Sequence, residues 1–316
     1  MNIVSCSDYN FIIPLGVMMH SLCINNESGG IVFHIIIDNS VTKEQKEQLY
    51  TVVSDKDTIF FYNIDIDNIK DYLIVKIENF PIPIYYRLLM ARILPASIHK
   101  VLYLDADIIV RHDLSKLWNT PIENFAVAAI PNQSNGNRFW ERLNYSKDLG
   151  YFNSGVLLLN LDYIREYNLT EQFITYIKEN PEKLLMPDQD VLNYTLRHCK
   201  KNLPVCFNAQ EGFYRIPPES VFVKDFDSDI SDPFIVHYTK EKPWNKNCKH
   251  PLRNLYYYYK SGTIWKDNYF MENFKYKKIR QPLFIRFKIF LTKLFYNIKK
   301  DNVSVEINYR KIHLNK

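Results

Sequence analysis

Lys100-Val101-Leu102-Tyr103-Leu104-Asp105-Ala106-Asp107 is a short apolar strand that runs directly into two carboxylates. Residues i and i+2 of a strand face one side, so both acids can reach a single hard cation at the carboxyl end of a sheet, where α/β folds bind ligands. Mg²⁺ or Mn²⁺ suits such oxygen ligands and can bridge to a diphosphate. D-x-D by itself is common, and a solvated turn with local Asp hydrogen bonds explains it as well. What raises the metal reading is the hydrophobic strand that delivers the pair, together with the polar clusters elsewhere in the chain.

Outward from this strand, the first 240 residues alternate strand-like and helix-like stretches, which predicts an α/β domain with a largely parallel sheet. Residues 3 to 7 read as a first strand, with a helix over 9 to 23 packed on it. Residues 31 to 37 form a continuous β-branched apolar run, the pattern of a strand buried on both faces. Thr42-Lys43-Glu44-Gln45 is a capping pattern that opens a helix over 42 to 53, and 59 to 62 is the next strand. Pro81 and Pro83 precede a helix over 85 to 93, which ends ahead of Pro95. Further strands are expected at 125 to 130, 152 to 161 and 234 to 237. Helices are expected at 163 to 179, from Pro187 through Leu196, and at 251 to 261.

Composition removes several function classes. Eight glycines are few for a phosphate-cradling loop, and neither G-x-G-x-x-G nor G-x-x-x-x-G-K occurs. Five cysteines, odd in number and with no C-x-x-C pair, argue against a disulfide framework or a zinc cage and suit a reducing compartment. The start, Met1-Asn2-Ile3-Val4-Ser5-Cys6, has neither a charged leader nor a long apolar run, so no signal peptide is expected.

The net charge of +5 conceals a split, because residues 275 to 300 hold nine Lys or Arg and no acid. Residues 1 to 274 carry 28 basic against 33 acidic residues, a net of −5. A nucleic-acid enzyme would spread positive charge over its catalytic body, so no nucleic-acid partner is expected. The asymmetry points to a tail that docks on an anionic surface. In residues 282 to 300, Phe284, Phe287, Phe290, Leu291, Leu294 and Phe295 interleave with Arg286, Lys288, Lys293, Lys299 and Lys300. On a helix this gives an apolar face with basic flanks, as at anionic membrane interfaces. The interrupting charges keep the stretch from spanning a bilayer. A helix packed on the enzyme's own core is the plainer alternative.

Four motifs occur in a fixed order: Leu102-Tyr103-Leu104-Asp105-Ala106-Asp107, then Phe152-Asn153-Ser154-Gly155-Val156-Leu157-Leu158, then Asp188-Gln189-Asp190, then His237 with Lys242-Pro243-Trp244. Together they are far more specific than any one alone. Over residues 1 to 265 the chain resembles glycosyltransferase family 8, and is most similar to its bacterial lipopolysaccharide α-glucosyl- and α-galactosyltransferases. The resemblance implies a GT-A nucleotide-sugar-binding fold with a mixed, mainly parallel sheet. It also implies a UDP-glucose or UDP-galactose donor, a saccharide acceptor, free or lipid-linked, and Mn²⁺ as cofactor with Mg²⁺ as the alternative.

By the same resemblance Asp105, Asp107 and His237 hold the metal. Asp8 and Asn10 meet the uracil and ribose; Arg87, Ala106 and Ser154 are placed with the donor, and Lys242 on its diphosphate. Asn153 faces the sugar, Asp188 binds its hydroxyls, Gln189 lies near the anomeric carbon, and Asp190 is a carboxylate that could act as nucleophile if the protein moves. Read without the resemblance, each has a plainer explanation: an Asx turn for Asp8 and Asn10, a surface cation for Arg87 and Lys242, a satisfied structural histidine for His237, a helix cap for Asp188. Asn153 and Ser154 differ, because polar groups that interrupt an apolar strand cost stability unless both find partners. Where relatives grip the acceptor, residues 131 to 137 contain no acid.

The expectation is therefore a metal-dependent retaining hexosyltransferase. Residues 1 to 265 form its catalytic domain and 266 to 316 a basic helical tail, peripheral at the cytoplasmic face of a membrane. The competing reading is a catalytically inactive nucleotide-sugar- or glycan-binding module.

Overall fold

The computed structural model describes residues 1–27, 29–64, 82–133, 139–214 and 225–267. The amphipathic tail read at 282 to 300 lies outside them, as do Pro81 and the acceptor-side positions 134 to 137.

Seven strands form the main sheet: β1 (Asn2–Ser7), β2 (Val32–Asp38), β3 (Thr58–Ile64), β4 (Lys100–Leu104), β6 (Val127–Pro131), β7 (Phe152–Asn160) and β8 (Lys200–Asn202). Their spatial order is β3-β2-β1-β4-β7-β6-β8. β3, β2, β1 and β4 run parallel, β7 is antiparallel to both neighbours, and β8 is parallel to β6. The sheet is thus mixed and mainly parallel.

Successive residues of each central strand enter different cores. Ile3, Leu102, Leu104, Val156 and Leu158 pack on one face with the helix Ile12–Asn25. Val4, Val101, Tyr103, Leu157 and Leu159 pack on the other with the helices Leu169–Glu179 and Pro187–Leu196. This double coverage is why Val101 to Leu104 and Val156 to Leu159 read as unbroken apolar runs.

Several expected elements hold with small shifts. The capping box at Thr42 forms in full, with Gln45 N donating to Thr42 Oγ1 and Gln45 Oε1 accepting from Thr42 N. Two elements differ. The expected helix over 163 to 179 is broken into Leu161–Glu166 and Leu169–Glu179 by Asn168 at φ 51°. Asn enters this left-handed conformation more readily than other residues with a side chain. The expected helix over 85 to 93 is mostly the 3₁₀ segment Ile82–Leu89, with one α-turn, Met90–Ile93.

A second sheet of three short strands, β5 (Ile108–Val110), β9 (Ala209–Gln210) and β10 (Ile235–His237), abuts the first. Asp105-Ala106-Asp107 is the link by which the chain leaves β4 and enters β5. The acids therefore lie in a turn between sheets and not on a strand, so strand alternation does not explain their shared orientation. The turn does so instead, anchored where Asp105 N donates to Gly155 O at 2.9 Å. Among the described residues no helix is long and apolar enough to cross a membrane, and all five cysteines are free thiols.

Candidate active site

β10 runs antiparallel to β5 with His237 opposite Ile108, and Tyr238 N donates to Asp107 O at 3.1 Å. This register carries the imidazole across 130 residues of chain to the two acids. His237 Nε2 lies 3.6 Å from Asp105 Oδ2 and 3.2 Å from Asp107 Oδ1. One ligand atom from each of the three residues falls within 4.8 Å of the others.

Two observations test whether these residues suit a cation. A Cβ built on Gly155 would lie 2.2 Å from His237 Cε1 and 2.6 Å from Asp105 Oδ2, so the strand must be bare of side chain beside the three ligands. His237 Nδ1 hydrogen-bonds Asn208 Oδ1 at 2.9 Å, which turns Nε2 toward the carboxylates. Oxygen, oxygen and imidazole nitrogen is a donor set that fits a divalent first-row ion, and Mn²⁺ better than Mg²⁺.

Lys242 hydrogen-bonds Asp107 Oδ2 and also donates to Tyr238 O at 2.8 Å. Burial pushes the Asp107 carboxyl upward, but the Lys242 ammonium and His237 outweigh it and hold the group below the usual carboxylate range. Asp107 is thus a fixed anion.

On the other side of Asp105, Arg87 links several elements. Its Nη2 pairs with Asp105 Oδ1 at 2.9 Å, and its Nη1 donates to Ser154 O at 2.9 Å and faces Asp188 Oδ2 at 3.2 Å. The guanidinium lies 4.7 Å from the centre of the Tyr103 ring, whose hydroxyl donates to Asp105 Oδ1 at 2.7 Å. Planar, delocalised Arg can serve two carboxylates and an aromatic face at once, where Lys could not. Burial pushes the Asp188 carboxyl up, with Arg87 working against it. Asp188 Oδ2 is buried against the guanidinium and accepts no hydrogen bond.

The polar interruption of β7 finds its partners. Asn153 Nδ2 and Ser154 N both donate to Gln189 Oε1 at 3.1 Å, while Gly155 N donates to Asn153 Oδ1 at 3.0 Å. Asp105, Asp107, His237, Lys242, Arg87, Ala106, Asn153, Ser154, Asp188 and Gln189 thereby gather along one edge of the sheet.

Three expected site residues have partners of their own. Asp190 is fully buried. Arg142 grips both its oxygens, Tyr151 Oη donates to it at 2.7 Å, and Leu185 N and Met186 N donate at 2.9 and 2.7 Å. Asp8 and Asn10 follow β1, whose end neighbours that of β4; Asp8 Oδ1 accepts from Asn10 N at 2.9 Å and Phe11 N at 3.2 Å, a local cap.

Sequence reasoning passed over Asn208, Tyr103, Arg142, Tyr151 and the role of Gly155. A lone amide in Val205-Cys206-Phe207-Asn208-Ala209 and a glycine inside an apolar strand were the available signals. Cys6 also lies close to Arg87 and Asp105. Burial pushes its thiol up to about 12, so it stays protonated and is no nucleophile.

Residues 2–248 match the family model described as Glycosyl transferase family 8. General stress protein A of Bacillus subtilis (strain 168) is 33% identical over 273 residues, covering 84% of this chain and 94% of that protein. A lipopolysaccharide 1,2-glucosyltransferase of Escherichia coli is 31% identical over 264 residues, covering 79% of this chain and 76% of the other. Among solved structures, the galactosyltransferase LgtC in complex with donor and acceptor sugar analogues superposes with a TM-score of 0.75 at 20% identity, covering 84% of this chain and 99% of that one. At that identity the likeness speaks for the fold, which is GT-A.

Proposed function

This chain belongs to glycosyltransferase family 8, and from that premise we propose that it is a retaining hexosyltransferase moving glucose or galactose from a UDP-sugar to a saccharide acceptor. The observation that carries the reading is the convergence of Asp105, Asp107 and His237 beside Gly155. These residues would hold a divalent cation, Mn²⁺ before Mg²⁺, and the chemistry such an ion supplies when bound is neutralisation of charge on the departing diphosphate.

The chain's own residues supply the rest. Lys242, in the loop after β10 and beside Asp107, can turn its ammonium to the leaving phosphate. Arg87 orients Asp105 and Asp188 together, and Asp188 is the carboxylate that would receive hydroxyls of the sugar. Asn153, Ser154 and Ala106 line the donor side, with Asp8 and Asn10 toward the nucleoside. The Gln189 amide is a poor nucleophile. The Asp190 carboxylate is enclosed by four donating groups, Arg142, Tyr151, Leu185 N and Met186 N. Both facts favour departure of UDP followed by acceptor attack on the same face, over a covalent glycosyl-enzyme.

The acceptor is a saccharide, free or lipid-linked, of a surface glycan such as the lipopolysaccharide in the name of the Escherichia coli relative. Residues 1–265 form the catalytic part and 266–316 a basic, aromatic segment that binds anionic membrane from the cytoplasmic side, a compartment that suits the five free thiols.

The test is incubation with labelled UDP-sugars and Mn²⁺. Release of UDP and free hexose, with one sugar favoured, supports the proposal. Turnover undiminished by EDTA, or unchanged in Asp107→Ala, would overturn it.

A further inference from the structure

We infer that Asn208 is a positioning residue: it fixes which nitrogen of His237 carries the proton, and so makes the imidazole a metal ligand. The inference rests on the metal reading of the Asp105, Asp107 and His237 cluster, and it goes further by assigning a role to a residue outside the cluster.

The argument starts from a main-chain group whose direction is fixed. Gly155 N–H can only donate, and it donates to Asn153 Oδ1 at 3.0 Å. Asn153 therefore presents its oxygen on that side, and its Nδ2 on the other, where it meets Gln189 Oε1 at 3.1 Å. A second fixed donor, Ser154 N–H, meets the same Gln189 oxygen at 3.1 Å and confirms that assignment independently.

Asn208 Nδ2 then donates to Asn153 Oδ1 at 2.9 Å, which leaves Asn208 Oδ1 to face His237. An amide oxygen only accepts. His237 Nδ1, 2.9 Å away, must therefore carry the hydrogen. The neutral ring's lone pair is consequently on Nε2, the atom that faces Asp105 and Asp107.

The direction of every bond in this relay follows from two backbone amides of β7, with no choice left to the side chains. Asn208 is fully exposed to none of the solvent, being 0% accessible, and His237 is 3% accessible, so water cannot supply a substitute acceptor for Nδ1. An acceptor on the far nitrogen also fixes the orientation of the ring. The same relay makes Asn153 common to two sides of the site, one amide group reaching Gln189 and the other, through Asn208, the imidazole.

The relay is distinguishable from simple packing, because Asp and Leu both approximate the shape of Asn while only Asp accepts from Nδ1–H, and neither donates to Asn153 Oδ1. Asn208→Leu and Asn208→Asp full-length chains are compared with the wild type. Mn²⁺ binding is measured by the loss of the free-ion electron paramagnetic resonance signal, with and without UDP. Co²⁺ is loaded in parallel for proton NMR, where the Nδ1–H of a coordinated histidine gives a strongly shifted, solvent-exchangeable resonance.

The expected result is that Asn208→Leu binds Mn²⁺ about 10- to 100-fold more weakly and loses the shifted resonance, while Asn208→Asp, which still accepts from Nδ1–H, keeps the resonance. Circular dichroism on each variant separates unfolding from loss of the ligand, and Asn208→Ser, whose hydroxyl can accept from Nδ1–H and donate to Asn153 Oδ1, should bind Mn²⁺ more tightly than Asn208→Leu. Equal Mn²⁺ affinity in wild type and Asn208→Leu, or a folded Asn208→Asp variant that loses the resonance as Asn208→Leu does, would overturn the inference while leaving the metal cluster intact. Absence of Mn²⁺ binding by the wild type itself would instead bring down the cluster reading, and the inference with it.

Discussion

The Arg142 guanidinium holds the Asp190 carboxylate by two parallel hydrogen bonds of 2.9 and 2.8 Å, Nη1 to Oδ2 and Nη2 to Oδ1. This fork ties the helix Phe139–Leu143 to the first turn of Pro187–Leu196, the turn that carries Asp188 and Gln189. With Tyr151, Leu185 N and Met186 N on the same oxygens, the acid next to the candidate sugar-binding residues is committed to holding that turn in place.

Arg142→Met removes the partner of a charge with no exposed surface and should cost about 3–5 kcal/mol of stability in urea unfolding. Asp190→Asn should lose stability and turnover together, because its effect passes through the helix. Turnover abolished by Asp190→Asn at an unchanged urea midpoint would instead favour Asp190 as the reacting carboxylate.

Gly155→Ala places a methyl carbon 2.2 Å from His237 Cε1 and 2.6 Å from Asp105 Oδ2, well inside van der Waals contact. Because β7 is buried on both faces, relief has to come from the ligands. Mn²⁺ affinity should fall at least about 10-fold, by analogy with other disturbances of ligand orientation. Calorimetric titration of folded protein checks this, and wild-type affinity in the variant would show that the three ligands sit elsewhere.

His34 lies on β2, only 2% exposed, with Nδ1 accepting from Tyr62 Oη at 2.9 Å and Nε2 donating to Asn2 Oδ1 at 3.3 Å. Burial lowers its pKa from 6.5 to about 4. Between those values the unfolded chain binds more protons than the folded one, so stability rises with pH there. The contribution is complete above pH 6.5 and is lost as pH falls toward 4, by about 2–3 kcal/mol. Urea midpoints from pH 7 to 4.5 should therefore drop more steeply in wild type than in His34→Gln; parallel curves would refute the assignment.

Much of the fold could be read from the chain because burial leaves a local record. Residues 31 to 37, His34 apart, and 101 to 104 are apolar since each strand has a core on both faces, and β4 appears where it was expected. Thr42 and Gln45 form their capping box within four residues of one another. The breaks at Asn168 and in 82 to 89 were not legible, because apolar spacing does not distinguish one helix from two, or an α-turn from a 3₁₀ turn.

The sequence by itself determined the chemical inventory: two acids after an apolar strand, a histidine ending another, and polar residues where β7 should be apolar. Only the tertiary structure decided how these are used. It set β5 against β10 so that His237 meets the acids, turned Asp190 to Arg142, and aligned Gly155, Asn153 and Asn208 into a relay with one direction. The physical reason is that burial is a property of single residues and leaves its mark on each. A hydrogen bond is a property of pairs, and the partners of His237 and Asp107 here, Asn208 and Lys242, stand 29 and 135 positions away.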